Sequence, residues 1–339
     1  MKKYIFNFIT VIVFCGCQIA TPIKPVISTD PLPNDPDDVA IWVNKNDLSS
    51  SIVFINDKNN NGGLYAFNLN GKLIDSINPI LLKYPNNLDI WQSKSSNIPS
   101  YIFITERNTQ SLIVASFNQH QFNKIDSFKL FDFDTTENMD FKSPMGIAID
   151  KRDRIDSINV YVSRKNGPKI GYIAHYAYFP YPKSNIPQIK LVRLIGEFSG
   201  IKEIESLAVD TLYNRVLYSD ESYGVRYVST LLDSNDKGTF GLGKFKRDIE
   251  GIALSPPIEN YKNGLIWVSD QQRQSLNLFD RKTLEYLGKI KVMAKETDGI
   301  DFAELPLIMN SRGTIFMMND KQHNFHYYNM EDLLKALKP

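Results

Sequence analysis

IVFINDKNNNGGLYAFNLNGKLIDSI, residues 52–77, reads as an apolar strand that ends in a polar cluster, then a second strand and a turn at Asn70-Gly71. Short runs of Ile, Val, Tyr and Phe bounded by Asn, Asp, Gly or Pro have the composition of buried strands. Asn-Gly is a hairpin signal, because both residues tolerate positive φ. The same unit recurs along the chain. YIFITER (101–107) precedes SLIVASF (111–117), and VYVSRKNG (160–167) precedes GYIAHYAY (171–178). RVLYSDES (215–222) precedes GVRYVST (224–230), and LIWVSDQQ (265–272) precedes SLNLFDRKTLEYLGKI (275–290). TIFMMNDK (314–321) precedes NFHYYNM (324–330), which makes six such units. The one short amphipathic helix, EDLLKAL (331–337), comes at the end.

The residues that open the units are Asp38, Asp89, Met145, Glu205, Glu250 and Asp301, separated by 51, 56, 60, 45 and 51 positions. Spacings of roughly 40–50 residues with about four strands each are the signature of propeller blades. The expected fold is therefore all-β, a six-bladed β-propeller; a pair of β-sandwiches or a solenoid fits the repeat count and spacing less well. In a propeller every innermost strand runs the same way along one axis, so the polar ends of all six units meet at one mouth.

The chain has 339 residues, 42% of them hydrophobic, with 17 Tyr and 20 Phe, enough to bury a large core. Its net charge of +1 offers no electrostatic footprint for nucleic acid. Lys2-Lys3, an apolar stretch from Tyr4 to Phe14 and Phe14-Cys15-Gly16-Cys17 resemble a bacterial lipoprotein signal, cleaved before Cys17 with lipid on its sulfur. Residues 1–17 are read as this signal peptide, 18–34 (with Pro22, Pro25, Pro31 and Pro33) as a tether, and 35–339 as the propeller. The expected address is the cell envelope, with membrane contact through the lipid only. Gln18 supplies no acidic retention signal and so favours the outer membrane. A monomer is expected. Beyond Cys17 there is no cysteine, which excludes disulfides and zinc-thiolate sites from the mature chain.

The chemistry is carried by short charged signatures at strand ends. Four histidines without ligand spacing argue against a histidine-held zinc or iron centre. Oxygen donors abound instead: Asp37, Asp38, Glu205, Asp220, Glu221, Asp248, Glu250 and Asp298. A single Asp after a strand is ordinarily a turn residue. Acids opening strands in at least four units are harder to ascribe to turns, and hard carboxylates without nitrogen or sulfur suit calcium. Lys58, Arg107 and Lys165 each follow the apolar strand of successive units and converge on the same mouth. Alone each is an ordinary solvated base; beside a cation-loaded acidic cluster they suit a polyanionic phosphate ester. There is no G-x-S-x-G elbow, reactive cysteine, convincing Ser-His-Asp set, Walker loop or Rossmann glycine pattern. The simplest nucleophile for a hydrolase here is a metal-bound water.

Six segments, DPDDVAIWV, NDKNNNGGLYAFNLNGKLI, NNLDIW, IESLAVD…RVLYSDE, RDIEGIAL and TDGID, resemble the β-propeller phytases in order and spacing, from about residue 34 to the C-terminus. That family is six-bladed and calcium-dependent and acts on inositol phosphates. The resemblance implies a phosphomonoesterase for phytate and related esters, with several calcium ions and attack by a calcium-bridging water. By the same resemblance Lys58, Arg107 and Lys165 match phosphate-binding cations. Asp37, Glu205, Glu221, Asp248 and Glu250 match the acids of the catalytic calcium cluster, and Gln271 a polar ligand of the substrate-metal site. Asp38 with the carbonyls of Val39 and Leu88 matches a structural calcium site; Asp298 with Asn324 matches another. Met145 stands where the family usually has a phosphate-contacting tyrosine, and Ser206 follows Glu205 in place of the usual glycine. Two other readings are a calcium-stabilised propeller that binds a ligand or protein without turnover, and a different propeller hydrolase of the lactonase or esterase kind. Lys58, Arg107 and Lys165 argue against both.

Overall fold

The computed structural model describes residues 21–95, 97–118, 120–181, 186–309 and 311–337. Six four-stranded antiparallel sheets are arranged as a six-bladed β-propeller, as the repeat implies. Blade 1 consists of Pro36–Trp42, Ile52–Asp57, Gly62–Phe67 and Ile80–Leu82, counted outward from the axis. Blade 2 uses Pro85–Trp91, Ser100–Glu106, Ser111–Phe117 and Phe122–Lys129. Blade 3 has the two longest strands, Ile170–Phe179 and Gln188–Glu197, outside Pro144–Ile149 and Ile158–Arg164. Blade 4 runs Leu207–Asp210, Arg215–Asp220, Gly224–Ser229 and Lys237–Phe240. Blade 5 runs Ile252–Ser255, Leu265–Asp270, Ser275–Asp280 and Tyr286–Lys291. Blade 6 takes Ile300–Ala303, Thr314–Asn319 and Asn324–Asn329 from the end of the chain and Ile27–Ser28 from its beginning.

The core follows from strand alternation. Each blade presents one apolar face to each neighbour, so the buried side chains fall into six clusters, one per seam. Phe54 with Ile102 fills the seam between blades 1 and 2, and Phe103 with Val160 the next. Tyr161 with Tyr218, Val268 with Leu217, and Trp267 with Met317 continue the ring. Val53 with Phe316 closes it between blades 6 and 1. Because the seams are the core, the blades pack face to face around an axis and hold the strand ends at fixed mutual positions.

The segment expected as a tether is a correction. From residue 21 the chain is built into the ring: the amides of Val26, Thr29 and Leu32 donate to the carbonyls of Tyr327, Phe325 and His323 at 2.8, 2.9 and 2.8 Å. The prolines misled because an outermost strand needs donors only along one edge. Pro22, Pro25, Pro31 and Pro33 occupy other positions, and Ile23 donates to Lys291 at 2.9 Å. Cys17 and the rest of the expected signal lie outside the described residues.

Candidate functional site: the mouth of the propeller

The inner two strands of the blades share one register, with Val39↔Ile55, Leu88↔Ile104, Ile147↔Val162, Leu207↔Tyr218, Ile252↔Val268 and Ile300↔Met317 as equivalent pairs. Two residues before each first partner stand Asp37, Asn86, Met145, Glu205, Glu250 and Asp298, and these form an inner ring. Three residues after each second partner stand Lys58, Arg107, Lys165, Glu221, Gln271 and Asp320, and these form an outer ring. Met145, Glu205 and Glu250 were aligned correctly as unit openers; Asp38, Asp89 and Asp301 lie one to three residues too far along. The last three line an axial cavity of about 490 Å³ together with Lys151, whose Nζ is 3.0 Å from Asp89.

A local device holds the inner ring in place. Where the inner strands of blades 1 to 3 begin, the register slips by a bulge, between Pro36 and Val39, Pro85 and Leu88, and Pro144 and Ile147. The amide freed by the irregularity is taken by a side chain from the neighbouring strand. Asn56 Oδ1 accepts from Asp38, Thr105 Oγ1 from Asn87 and Ser163 Oγ from Gly146, at 2.8, 3.0 and 2.9 Å. Ser219 Oγ accepts from Ser206 and Ser269 Oγ from Gly251, at 3.0 and 2.8 Å. The glycines following three of the ring residues are steric necessities: a Cβ on Gly146 meets the Glu205 carbonyl oxygen at 1.7 Å, and one on Gly299 meets Asp38 Oδ1 at 2.2 Å. Ser206 takes the corresponding place in blade 4, its backbone amide donating to Ser219 Oγ as that of Gly251 donates to Ser269 Oγ.

The two rings split the mouth electrically. On blades 1 to 3 the outer ring is cationic (Lys58, Arg107, Lys165), whereas on blades 4 to 6 both rings are acidic or amide-bearing. Glu203 and Asp248, each two residues before an inner-ring acid, thicken the acidic half. Carboxylate oxygens of Glu203, Glu205 and Glu221, and of Glu221, Asp248 and Glu250, lie within 4.8 Å of one another. Such a set could hold a metal ion. Its oxygens are also short of donors: Asp37 Oδ2, Asp248 Oδ1 and both oxygens of Glu221 are buried without a hydrogen-bond partner. Lys202 Nζ reaches Glu221 at 2.5 Å and Asp248 at 2.9 Å, but only as an ion pair.

Burial, reinforced by neighbouring acids, drives these carboxyls up. Burial pushes Glu221 from its ordinary 4.5 to about 8, with Glu205 and Glu203 adding repulsion. Burial likewise takes Asp37 from 3.8 to about 7, although the Lys58 ammonium pulls the other way. Glu250 and Asp298 are raised well above the usual range, first by burial and then by neighbouring acids. Glu205 is the exception: burial opposes its ionisation, yet Lys58 and Arg107 hold it below its ordinary value, and it accepts a hydrogen bond from Glu250. A group raised on folding binds more protons in the folded state than in the unfolded one, so its stabilisation is present at low pH and lost as pH rises. In chelator, stability is expected to fall between about pH 4.5 and 8, the window set by Glu221. Saturating divalent cation should flatten that slope. Urea unfolding at pH 5 and pH 8.5, with EGTA and with calcium, measures both; a chelated protein equally stable at the two pH values contradicts it.

The structure brings together most of the residues singled out from sequence. Lys58 is ion-paired to Asp37, and its charge also acts on Glu205 and Asp298. Arg107 bonds Asn86 Oδ1, contacts Met145 Sδ and lies 5.0 Å from the centre of the Tyr84 ring. Lys165 Nζ is 2.5 Å from Glu203. Gln271 donates to Asp298 at 2.7 Å, which places Asp298 within the main cluster. Asn324 is not brought to it: its amide accepts from Asn319 at 2.8 Å and donates to the Thr29 carbonyl at 3.3 Å, as part of the ring closure. Asp38 Oδ2 accepts from the Leu88 amide at 3.1 Å, and the Val39 amide bonds the same carboxylate. Asp38 therefore engages the N–H groups of these two residues. Asp220, counted among the oxygen donors, instead accepts from Ser199 N at 2.9 Å and Arg226 Nε at 2.7 Å.

Sequence reasoning missed Glu203, Asn86 and Lys202. Glu203-x-Glu205 repeats the spacing of Asp248-x-Glu250, a signal that was there to find. Asn86 donates to Glu205 Oε1 at 3.0 Å and sits at an inner-ring position that carries acids in four other blades. Lys202 belongs to a connecting loop, three residues before Glu205, a place that holds Lys83, Lys142, Arg247 and Lys295 in blades 2, 3, 5 and 6.

The class of protein is thus a β-propeller with a polarised, charge-dense mouth. No protein-family model matches the chain, and no curated protein matches it either.

Proposed function

We propose that the chain is a calcium-dependent phosphomonoesterase acting on phytate and related inositol phosphates. The observation carrying this reading is the division of one mouth into three bases from blades 1 to 3 and a cluster of buried, donor-poor carboxylates from blades 4 to 6. The oxygen-only donor set fits a hard cation of flexible coordination such as calcium. Glu203, Glu205, Glu221, Asp248, Glu250, Asp37 and Asp298 are the residues that would hold it. When bound, the cation neutralises ester oxygens and makes water more acidic.

The remaining work falls to the chain itself. Lys58, Arg107 and Lys165 lie on adjacent blades, so they meet several phosphates of one polyphosphate ester rather than one phosphate three times. Arg107 is held in place by Asn86 and by the Tyr84 ring, and a guanidinium is a base suited to phosphate oxygens. Lys58 and Lys165 act as point charges, each already tied to an acid of the cation cluster. Glu205, kept ionised by Lys58 and Arg107, sits between the two halves and can accept a proton there. A monophosphate engages only part of this arrangement, which favours highly phosphorylated substrates.

The test is release of inorganic phosphate from phytate by the chain lacking residues 1–17, in calcium and in excess EGTA. Release should appear with calcium, vanish with EGTA and return when calcium is restored. Absence of release, despite a calcium-dependent rise in melting temperature, would leave a calcium-stabilised propeller that binds without turnover.

A further inference from the structure

Lys202 is the cation the acidic half already possesses. It extends from the loop between blades 3 and 4, and its ammonium lies 2.5 Å from Glu221, 2.9 Å from Asp248 and 3.8 Å from Glu250. Those are the three acids of one of the two groups able to share a metal ion. An ammonium placed among them and a divalent cation bound by the same oxygens exclude one another, by volume and by repulsion between like charges. Glu221 is completely buried, and its oxygens lack aligned donors even with Lys202 present. The ammonium thus compensates charge without completing the coordination that these oxygens can give.

The side chain of Lys202 is 35% exposed, whereas Asp248 and Glu250 are 8% and 6% exposed. Its neighbour Ile201 is exposed as well, and Gly200 adopts a positive φ of 80°. The ammonium can therefore withdraw toward solvent without disturbing a packed seam, while the acids remain fixed by the inner-strand framework.

We propose that Lys202 is an internal counter-ion which competes with the divalent cation and sets the concentration at which the site loads. This rests on the reading of the acidic half as a cation site. Without the cation Lys202 stabilises the cluster; loading expels its ammonium to the rim. The threshold for activity then depends on a residue that is neither a ligand nor a phosphate contact.

Calcium titration calorimetry and thermal melts on the wild-type chain, Lys202→Met and Lys202→Gln test this, with Lys237→Met as a control remote from the mouth. Lys202→Met should bind calcium about tenfold more tightly or better. It should also melt at lower temperature in EGTA and show a larger calcium-induced rise. Lys202→Gln should behave likewise and serves if the methionine variant does not fold; Lys237→Met should match wild type. Equal or weaker calcium binding by both Lys202 variants, with wild type still binding, overturns the role of Lys202 and leaves the cation site standing. No calcium binding by wild type or either variant removes the cation site and the inference together.

Discussion

Glu205→Ala and Glu250→Ala are each expected to lower phosphate release from phytate on the order of 10³-fold or more, with the fold retained. Glu205 is the inner-ring acid in contact with both halves of the mouth: Asn86 donates to it, Glu250 hydrogen-bonds it, and Lys58 and Arg107 keep it ionised. Glu250 supplies the opposing carboxyl and is 6% exposed. Removing either breaks the cluster that would hold the cation. Neither residue supports a blade seam, because the six apolar clusters contain neither. For Glu250 the physics goes further. Its carboxyl is pushed up by burial and by Glu205 and Glu221, so deleting it relieves a cost of folding. The melting temperature of Glu250→Ala in EGTA should equal or exceed that of wild type, while its calcium-induced rise shrinks. A variant that retains near-normal turnover, or loses activity only because it unfolds, would remove Glu250 from the site.

The second large effect is on stability. Gly146→Ala should cost about 3 kcal/mol, the upper end of what an overpacked core costs, because the added methyl meets backbone and cannot be relieved by a rotamer change. A Cβ on Gly146 lies 1.7 Å from the Glu205 carbonyl oxygen and 2.7 Å from Leu207 Cδ1. Relief requires the inner strands of blades 3 and 4 to part where Ser163 holds the Gly146 amide and the Ile204 carbonyl. Equilibrium urea unfolding measures the loss. Any folded population should also show weakened calcium binding, since Glu205 moves with its backbone. Wild-type stability in Gly146→Ala would mean that this close approach is not a constraint in solution.

Much of the fold was legible because each blade buries its own run of apolar strands and exposes its own polar turn. IVFIND and its five counterparts therefore announce themselves locally. The bases of the outer ring were legible for the same reason: each directly follows the strand that positions it. The inner ring was harder to read. A bulge at the start of the inner strands of blades 1 and 2 breaks two-residue alternation, and Asp298 precedes its strand, so Asp38, Asp89 and Asp301 were taken for ring positions that belong to Asp37, Asn86 and Asp298. The base that recurs three residues before the inner ring, as Lys83, Lys142, Lys202, Arg247 and Lys295, was overlooked. The reach of Lys202 into the acidic cluster was not legible, because Glu221 and Glu250 lie 19 and 48 positions along the chain. The segment before residue 35 was misread because its prolines have the composition of a spacer, while its hydrogen bonds depend on which edge each amide faces.

Joining the two ends of the chain in blade 6 has a kinetic meaning. The Phe325 amide donates to Thr29 Oγ1 across a separation of 296 residues. During synthesis the segment holding Ile27–Ser28 emerges before blades 1 to 5, yet its partner strand Asn324–Asn329 follows all of them. Blades 1 to 5 draw all their strands from contiguous sequence and can form in order as they appear. The sixth cannot be completed until its third strand follows the other five blades, and its non-local pairing carries the largest loop-closure entropy among the described strands. Docking of the first strand onto the last is therefore the slow clasp of folding. Until it fastens, blade 6 presents an unpaired edge along Asn324–Asn329, and that edge is the one most exposed to pairing with another chain while the ring is still open.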